Sequence, residues 1–334
     1  MITLADVRAA RERIGARVHH TPLLSSRTLG RRIGANAWLK AENMQKTGSF
    51  KARGALNTIA QLSPEEQARG IITVSAGNHA QGVAWAAAAA GVRATVVMAE
   101  TATPSKVAAT REYGAEVVLH GPSSVESFAE MERLRAEGGL TLVHPFDDPA
   151  IIAGQGTAGL EILDDLPELG RGGAADTVVV PIGGGGLIAG LAVALKEQRP
   201  ELRVVGVEPK GAAAMYESRL AGRPVHLDRI DTVADGLTAP FAGDLTYEIV
   251  RHYVDVVVLL DDDAILDGLR FLLERAKLLA EPAGAAATAA LLAGAVPVAP
   301  DSHVVAIVSG GNIDLARLTG FLVEPQPAAA TPTT

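Results

Sequence analysis

The stretch from Thr177 to Leu187 constrains this chain more than any other. It reads Thr177-Val178-Val179-Val180-Pro181-Ile182, then Gly183 to Gly186, then Leu187 opening a further apolar run. An almost unbroken apolar strand suits a position buried on both faces, as in parallel sheets covered by helices. Four consecutive glycines expose successive backbone N–H groups with no side chains in the way. The N-terminus of the helix that begins at Leu187 adds its dipole. Such a turn makes a cradle for a phosphate. It lacks the Gly-Lys-Ser/Thr ending of a nucleotide P-loop and the spacing of a dinucleotide fingerprint, so a small phosphate fits better than a nucleoside triphosphate. A plain structural turn is the alternative, but four glycines after a buried strand rarely serve only as that.

The same strand-then-glycine pattern recurs. Ile71 to Val74 leads into Ser75-Ala76-Gly77-Asn78-His79, and Val304 to Val308 leads into Ser309-Gly310-Gly311-Asn312. Ligands of open α/β sheets sit beyond the carboxyl ends of the strands, so three such turns can converge on one ligand. Between them, further strands are expected at 37–40, 94–98, 116–119, 140–143, 203–208 and 255–260. Helices are expected from Thr3 (with Asp6 as a box-like partner), over 79–90, from Pro104, from about Ser123 and over 151–163. Alternating strands and helices predict an α/β chain with parallel sheets covered on both faces. Arg171-Gly172-Gly173 reads as a loop, and no repeat of fixed period is present.

The 334 residues suit two α/β lobes or one large one. A formal charge of −8 without a long basic run argues against a nucleic-acid surface. The absence of cysteine rules out disulfides, thiolate metal sites and cysteine nucleophiles. The N-terminus does not read as a secretory signal. The uncharged stretch Pro282 to Pro300 is mostly Ala and Gly, whose transfer energy is small, and reads as a buried helix rather than a membrane span. A soluble cytoplasmic protein is therefore expected.

Lys51 lies in Ser49-Phe50-Lys51-Ala52-Arg53-Gly54-Ala55, at the expected start of a helix. The positive end of the helix dipole disfavours a cation there and lowers the amine's pKa, and a neutral amine can form a Schiff base. Taken alone, a solvated lysine is the better reading. Asn78 can be an ordinary N-cap, His79 a packed or solvent-facing histidine, and Ser309 a turn residue.

Together these blocks resemble the serine/threonine dehydratases, the fold-type II pyridoxal-phosphate enzymes related to serine racemase and built like the tryptophan synthase β chain. The carriers are residues 49–55, Ser75 to Gly82, Gly183 to Leu187 and Ser309 to Asn312, supported by Ile152 to Thr157 and Ala234-Asp235-Gly236. The likeness runs from about residue 3 to residue 322. It implies two lobes of mostly parallel, twisted sheets flanked by helices. Residues 1–48 and 148–323 would form a large cofactor-binding domain, 49–147 a small mobile domain and 324–334 a disordered tail. It implies pyridoxal 5'-phosphate carried on Lys51, Phe50 against its ring, Asn78 at its phenolic oxygen, the N–H groups of Gly183, Gly184, Gly185, Gly186 and Leu187 at its phosphate, and Ser309 at its pyridine nitrogen. Ser75, Ala76, Gly77, Asn78 and His79 would bind the carboxylate of a small amino-acid substrate.

The activity so implied is that of a threonine, and also serine, ammonia-lyase of the short catabolic kind, assembled as a homodimer or homotetramer. Serine racemases carry a serine base where this chain has Ala76, which implies weak racemisation. The divalent metal site of some members matches at Glu208 and Ala212, but its aspartate position is Ala214, which weakens the site. A racemase, a hydroxyaspartate ammonia-lyase, a β-replacement enzyme like cysteine synthase and a non-catalytic amino-acid sensor are the alternatives. One methyl group changes pocket specificity by roughly 1–3 kcal/mol, so the sequence alone does not choose between threonine and serine.

Overall fold

The computed structural model describes residues 1–168 and 176–322. The Arg171–Gly173 loop and the tail from Glu324 lie outside the described residues. In chain order the first part comprises α1 (Leu4–Ile14), β1 (Leu23–Ser25), α2 (Arg27–Ile33), β2 (Asn36–Lys40), α3 (Lys51–Ile59), α4 (Pro64–Arg69), β3 (Ile71–Val74) and α5 (Asn78–Ala90). Next come β4 (Ala94–Met98), α6 (Pro104–Glu112), β5 (Glu116–Leu119), α7 (Ser124–Gly138), β6 (Thr141–Leu142) and α8 (Pro149–Glu168). The last part comprises β7 (Thr177–Pro181), α9 (Gly186–Lys196), β8 (Arg203–Pro209), α10 (Ala214–Ala221), α11 (Asp244–Tyr253), β9 (Val256–Leu260), α12 (Asp262–Phe271), α13 (Pro282–Leu292), β10 (His303–Ile307) and α14 (Leu315–Leu322).

Two sheets result. One has six strands in the order β1-β2-β10-β7-β8-β9, parallel except for the edge pair β1–β2. The other has four parallel strands in the order β5-β4-β3-β6. Every residue of β7 is buried, which is why its sequence is one apolar run rather than an alternation. The Ala-rich α13 is covered throughout most of its length and packs on the six-stranded sheet. Its small side chains allow that approach: a Cβ on Gly268 of α12 would lie 2.6 Å from the Cβ of Ala289. Helices α8 and α9 cover the opposite face.

The two sheets are joined where α3 crosses α8. A Cβ on Gly154 would lie 2.6 Å from Gly54 Cα, so the two backbones meet at glycines. The apolar cluster around the four-stranded sheet also draws in Ile14, Val18 and Ile151, from outside residues 49–147.

The expected strands all form, although the one read over 140–143 shrinks to Thr141–Leu142. Thr3 does cap α1: its hydroxyl accepts from the Asp6 N–H, and the Asp6 carboxylate accepts from the Thr3 N–H. The helix expected across 282–300 ends at Leu292. Helices α2, α4, α10, α11, α12 and α14 were not read from the sequence. Among the described residues no helix is long and apolar enough to cross a membrane.

Candidate active site

Lys51 opens α3, and the strand end of β10 fixes where that helix begins. The Phe50 N–H donates to the Ser309 carbonyl at 3.1 Å, and Ser49 forms a β-bridge with Gly310. The Lys51 Nζ donates to the Pro145 carbonyl at 2.5 Å and lies 5.3 Å from the centre of the Phe50 ring. Its pKa is lowered to about 8. Burial of the amine, which the sequence did not show, disfavours the ammonium form.

Pro145 connects the lysine to the glycine run. The next residue, Phe146, lays its ring on Gly184, where a Cβ would come within 2.3 Å of ring carbons. A Cβ on Gly186 would lie 2.9 Å from the Phe146 carbonyl oxygen. Gly185 has φ +94° and no room, since a Cβ would meet Met215 Cε at 2.8 Å. The run is thus free of side chains for reasons of packing as well as of chemistry. The Gly184 carbonyl accepts from the Thr246 hydroxyl at 2.8 Å, and Gly185 caps α9, in which Leu187 is buried. The first N–H groups of that helix have no intrahelical acceptor. The 144–147 turn is itself held by His144, whose Nδ1 accepts the N–H groups of Phe146 and Asp147 at 3.2 and 2.8 Å. Burial lowers the His144 pKa, in keeping with a neutral ring in that acceptor role.

The Ser75–His79 turn begins α5. Gly77, and not Asn78, is the cap. The Asn78 side chain is engaged elsewhere. Its amide donates to the Glu281 carboxylate, and its oxygen accepts from Asn312 Nδ2 at 2.8 Å. The Ser75 hydroxyl accepts the Gly77 N–H at 3.2 Å, while Ala76 packs against apolar neighbours. His79 is buried with Nε2 3.0 Å from the Val143 carbonyl, and its Nδ1 has no partner among the described residues. Burial, with the nearby charge of Lys51, holds its pKa well below the usual histidine range, so the ring is neutral. Ser309 is buried, and among the described residues its hydroxyl reaches only the Ala283 carbonyl, at 3.5 Å.

The four sequence blocks therefore meet at the carboxyl ends of β3, β7 and β10, joined through Pro145, Phe146 and Asn312. Pro145, Phe146, Thr246 and Glu281 were missed in the sequence. Asn312 belonged to a recognised turn, but nothing marked its side chain.

Glu208 stands apart. Its two carboxylate oxygens accept the N–H groups of Met215 and Tyr216 at 2.9 and 2.8 Å, at the start of α10, and burial raises its pKa to about 8. Ala212 is buried nearby. Among the described residues no group of three or more His, Cys, Asp or Glu side chains is placed to hold a metal ion.

Known proteins similar to this chain fall in one family. The family model described as "Pyridoxal-phosphate dependent enzyme" matches residues 15–310. The chain is 46% identical to an L-threonine ammonia-lyase of Thermotoga maritima, over 94% of this chain and 77% of that one. It is likewise 46% identical to a catabolic L-threonine dehydratase of Staphylococcus aureus, over 96% and 92%. Among solved structures, maize serine racemase superposes with TM-score 0.90 at 39% identity, covering 95% of this chain and 96% of that one. A threonine deaminase of T.th. superposes with TM-score 0.89 at 44% identity, covering 94% and 99%.

Proposed function

The chain belongs to the pyridoxal-phosphate dependent enzymes, and from that premise we propose that it is a threonine ammonia-lyase acting also on serine. The single observation that carries this reading is the convergence of Lys51, the glycine run, Asn78 and Ser309 in one place. These residues fit the cofactor. A buried amine with lowered pKa, an anion-binding helix start and a buried hydroxyl without a good partner are the groups an aldehyde, a phosphate and a ring nitrogen require.

Lys51 would hold the cofactor, Phe50 would pack on its ring, Asn78 would meet its phenolic oxygen, Gly183 to Leu187 would take its phosphate and Ser309 would face its pyridine nitrogen. Pyridoxal phosphate supplies a sink for the electron pair left when Cα loses its proton.

The chain's own residues do the rest. Lys51 Nζ takes the Cα proton as general base; an amine of pKa about 8 is neutral in roughly a tenth of molecules at pH 7, against a few in ten thousand for an ordinary lysine. The Ser75–His79 turn binds the substrate carboxylate through the first N–H groups of α5, since a neutral His79 brings no charge of its own. Ser309 is a hydroxyl and does not hold a proton on the ring nitrogen as a carboxylate does. Less charge is drawn there, and departure of the β-hydroxyl is favoured over return of the proton to Cα. Water then hydrolyses the released enamine, so that threonine yields 2-oxobutanoate and ammonia, and serine yields pyruvate and ammonia.

Residues 49–147 would act as a smaller lobe closing over the substrate. The protein would work in the cytoplasm as a homodimer or homotetramer, in keeping with exposed Met44, Leu279 and Leu315.

The test mixes cofactor-loaded protein with L-threonine, L-serine and L-threo-3-hydroxyaspartate separately and measures 2-oxo acid. Turnover of threonine at the highest kcat/KM is the expected result; no 2-oxo acid from any of the three would overturn the reading. Serine racemase is the second reading, favoured by the maize structure. Ala76 is the position that decides it, because a methyl group cannot return a proton to the opposite face of Cα. Ala76→Ser is expected to raise D-serine formation about tenfold or more, measured by chiral chromatography. No gain would refute this account of the position.

A further inference from the structure

Asn78 owes its orientation to a charged group that no active-site motif contains. Glu281 is buried at the start of α13, anchored by its own N–H to the Gly310 carbonyl at 3.1 Å. Its Oε1 accepts from Asn78 Nδ2 and lies so close to Gly310 that a Cβ there would be 2.5 Å away. With Asn312 donating to the Asn78 oxygen, both ends of the Asn78 amide are assigned: nitrogen toward Glu281, oxygen toward Asn312. The second N–H of Asn78 has no protein partner among the described residues and remains available.

Behind Glu281 lies a small chamber lined by Lys106, Asp235, Glu281, Asn312, Asp314 and Arg317. Its charges come from several elements. Lys106 is on α6, beside the four-stranded sheet, and reaches Asp235 at 3.5 Å. Asp235 is also gripped by Arg317 of α14, whose Nη2 donates to Oδ1 at 2.7 Å. Asp314 lies just ahead of α14. The Glu281 carboxylate thus faces a chamber that it shares with three ionic side chains paired among themselves, one of them from beside the four-stranded sheet.

We infer that Glu281 is a positioning residue for the cofactor: its carboxylate holds the Asn78 amide with one N–H turned toward the cofactor's phenolic oxygen. This rests on the function proposed above. The grip is tighter when Glu281 is ionised, because a hydrogen bond to a charged acceptor is stronger than one to a neutral carbonyl. Burial raises the Glu281 pKa to about 7, with Asp235 pushing the same way and Asn78, Lys106 and Arg317 opposing. The grip therefore strengthens as pH rises through neutrality.

The test compares holoprotein with Glu281→Gln and Glu281→Ala, reading bound-cofactor absorbance from pH 6 to 9 and cofactor release on dialysis. Glutamine keeps an acceptor for Asn78 but loses the charge. Glu281→Ala is expected to weaken cofactor retention about tenfold or more, the scale of one charge-assisted hydrogen bond. Glu281→Gln should restore retention to within about threefold and yet lack the absorbance change that the unsubstituted protein makes between about pH 6 and 8. A purely structural glutamate would leave that change in place. If Glu281→Ala does not fold, Glu281→Gln alone decides. Persistence of the absorbance change in Glu281→Gln, or a Glu281→Ala protein that keeps its cofactor as the parent does, overturns the inference. A parent protein with no Lys51-dependent cofactor band would instead overturn the proposed function.

Discussion

Lys51→Ala is expected to lower 2-oxo acid formation by at least about a thousandfold and to remove the cofactor's visible absorbance band, while leaving the fold intact. The size follows from two losses at one atom. A positioned general base contributes about 10²–10⁴-fold, and the covalent hold on the cofactor is lost with it. The fold survives because Lys51 makes one hydrogen bond, to Pro145, at the first position of α3, where no intrahelical N–H bond is at stake. Lys51→Arg is the informative companion. A guanidinium is never deprotonated near neutrality, so it keeps the charge and length and still cannot act. Both variants are expected to be inactive, measured by steady-state 2-oxo acid release and the absorbance spectrum. Activity within tenfold of the parent in Lys51→Ala would place the base elsewhere. Cofactor uptake carries the sign of the lowered pKa: protein freed of cofactor should regain the Lys51-dependent band faster as pH rises toward about 8, as the burial-weakened ammonium loses its proton and becomes the nucleophile.

What the sequence could say about this site depended on how local each determinant is. The strands were legible because a covered parallel strand such as β7 must be apolar along its whole length, and a glycine turn marks its end. The cradle was legible for the same reason, since Gly183 to Gly186 announce a backbone that is to be approached closely. Helices such as α2 and α10 were missed because they are only 7 and 8 residues long, with no sustained apolar stripe. The lysine's environment was half legible. Its place at a helix start was read correctly, but the burial that lowers its pKa comes from residues that fold over it, which a window along the chain does not contain. Glu281 was invisible for a still simpler reason: it meets Asn78 across 203 positions of sequence. The motif Ser49 to Ala55 likewise displayed Arg53, but not the role it has.

Arg53→Ala is expected to destabilise the protein by about 3–5 kcal/mol, the largest loss of stability predicted for any single substitution here. Arg53 is fully buried two residues after Lys51. Its Nε and Nη2 donate to the two oxygens of Glu42, each at 2.8 Å, and Nη1 and Nη2 donate to those of Glu161 at 2.6 and 2.8 Å. Burial alone would disfavour the guanidinium charge, but Glu42 and Glu161 outweigh it and hold the proton more firmly than in water. Lys40, also fully buried, adds an ion pair to Glu161 at 2.7 Å and a bond to the Thr21 carbonyl. Removing Arg53 leaves Glu161 with Lys40 but Glu42 with the Thr21 hydroxyl and no cation among the described residues, and that uncompensated charge, more than any lost attraction, sets the cost.

Three consequences separate this account from a surface ion pair. The loss should change little with salt, because the network is shielded from counterions. Replacing Arg53 and Glu42 together by apolar residues of similar volume, with Glu161 left to pair with Lys40, should recover much of it. The pH dependence should also change. Arg53 and Lys40 hold the Glu161 pKa below the usual carboxylate range despite burial. Its stabilisation is therefore present above the unfolded carboxyl pKa and lost as pH falls through the lower folded value, so the acid limb of the stability curve should be shallower in Arg53→Ala. Urea denaturation of the parent and variants between pH 3 and 8 measures all three. A loss below about 1 kcal/mol would mean that the carboxylates find water or protons at little cost. Because the network ties α3 to β2 and α8 only two residues from Lys51, a loss on the expected scale would mean that the helix presenting the reactive amine is held in place by a buried charge cluster rather than by its own helical propensity.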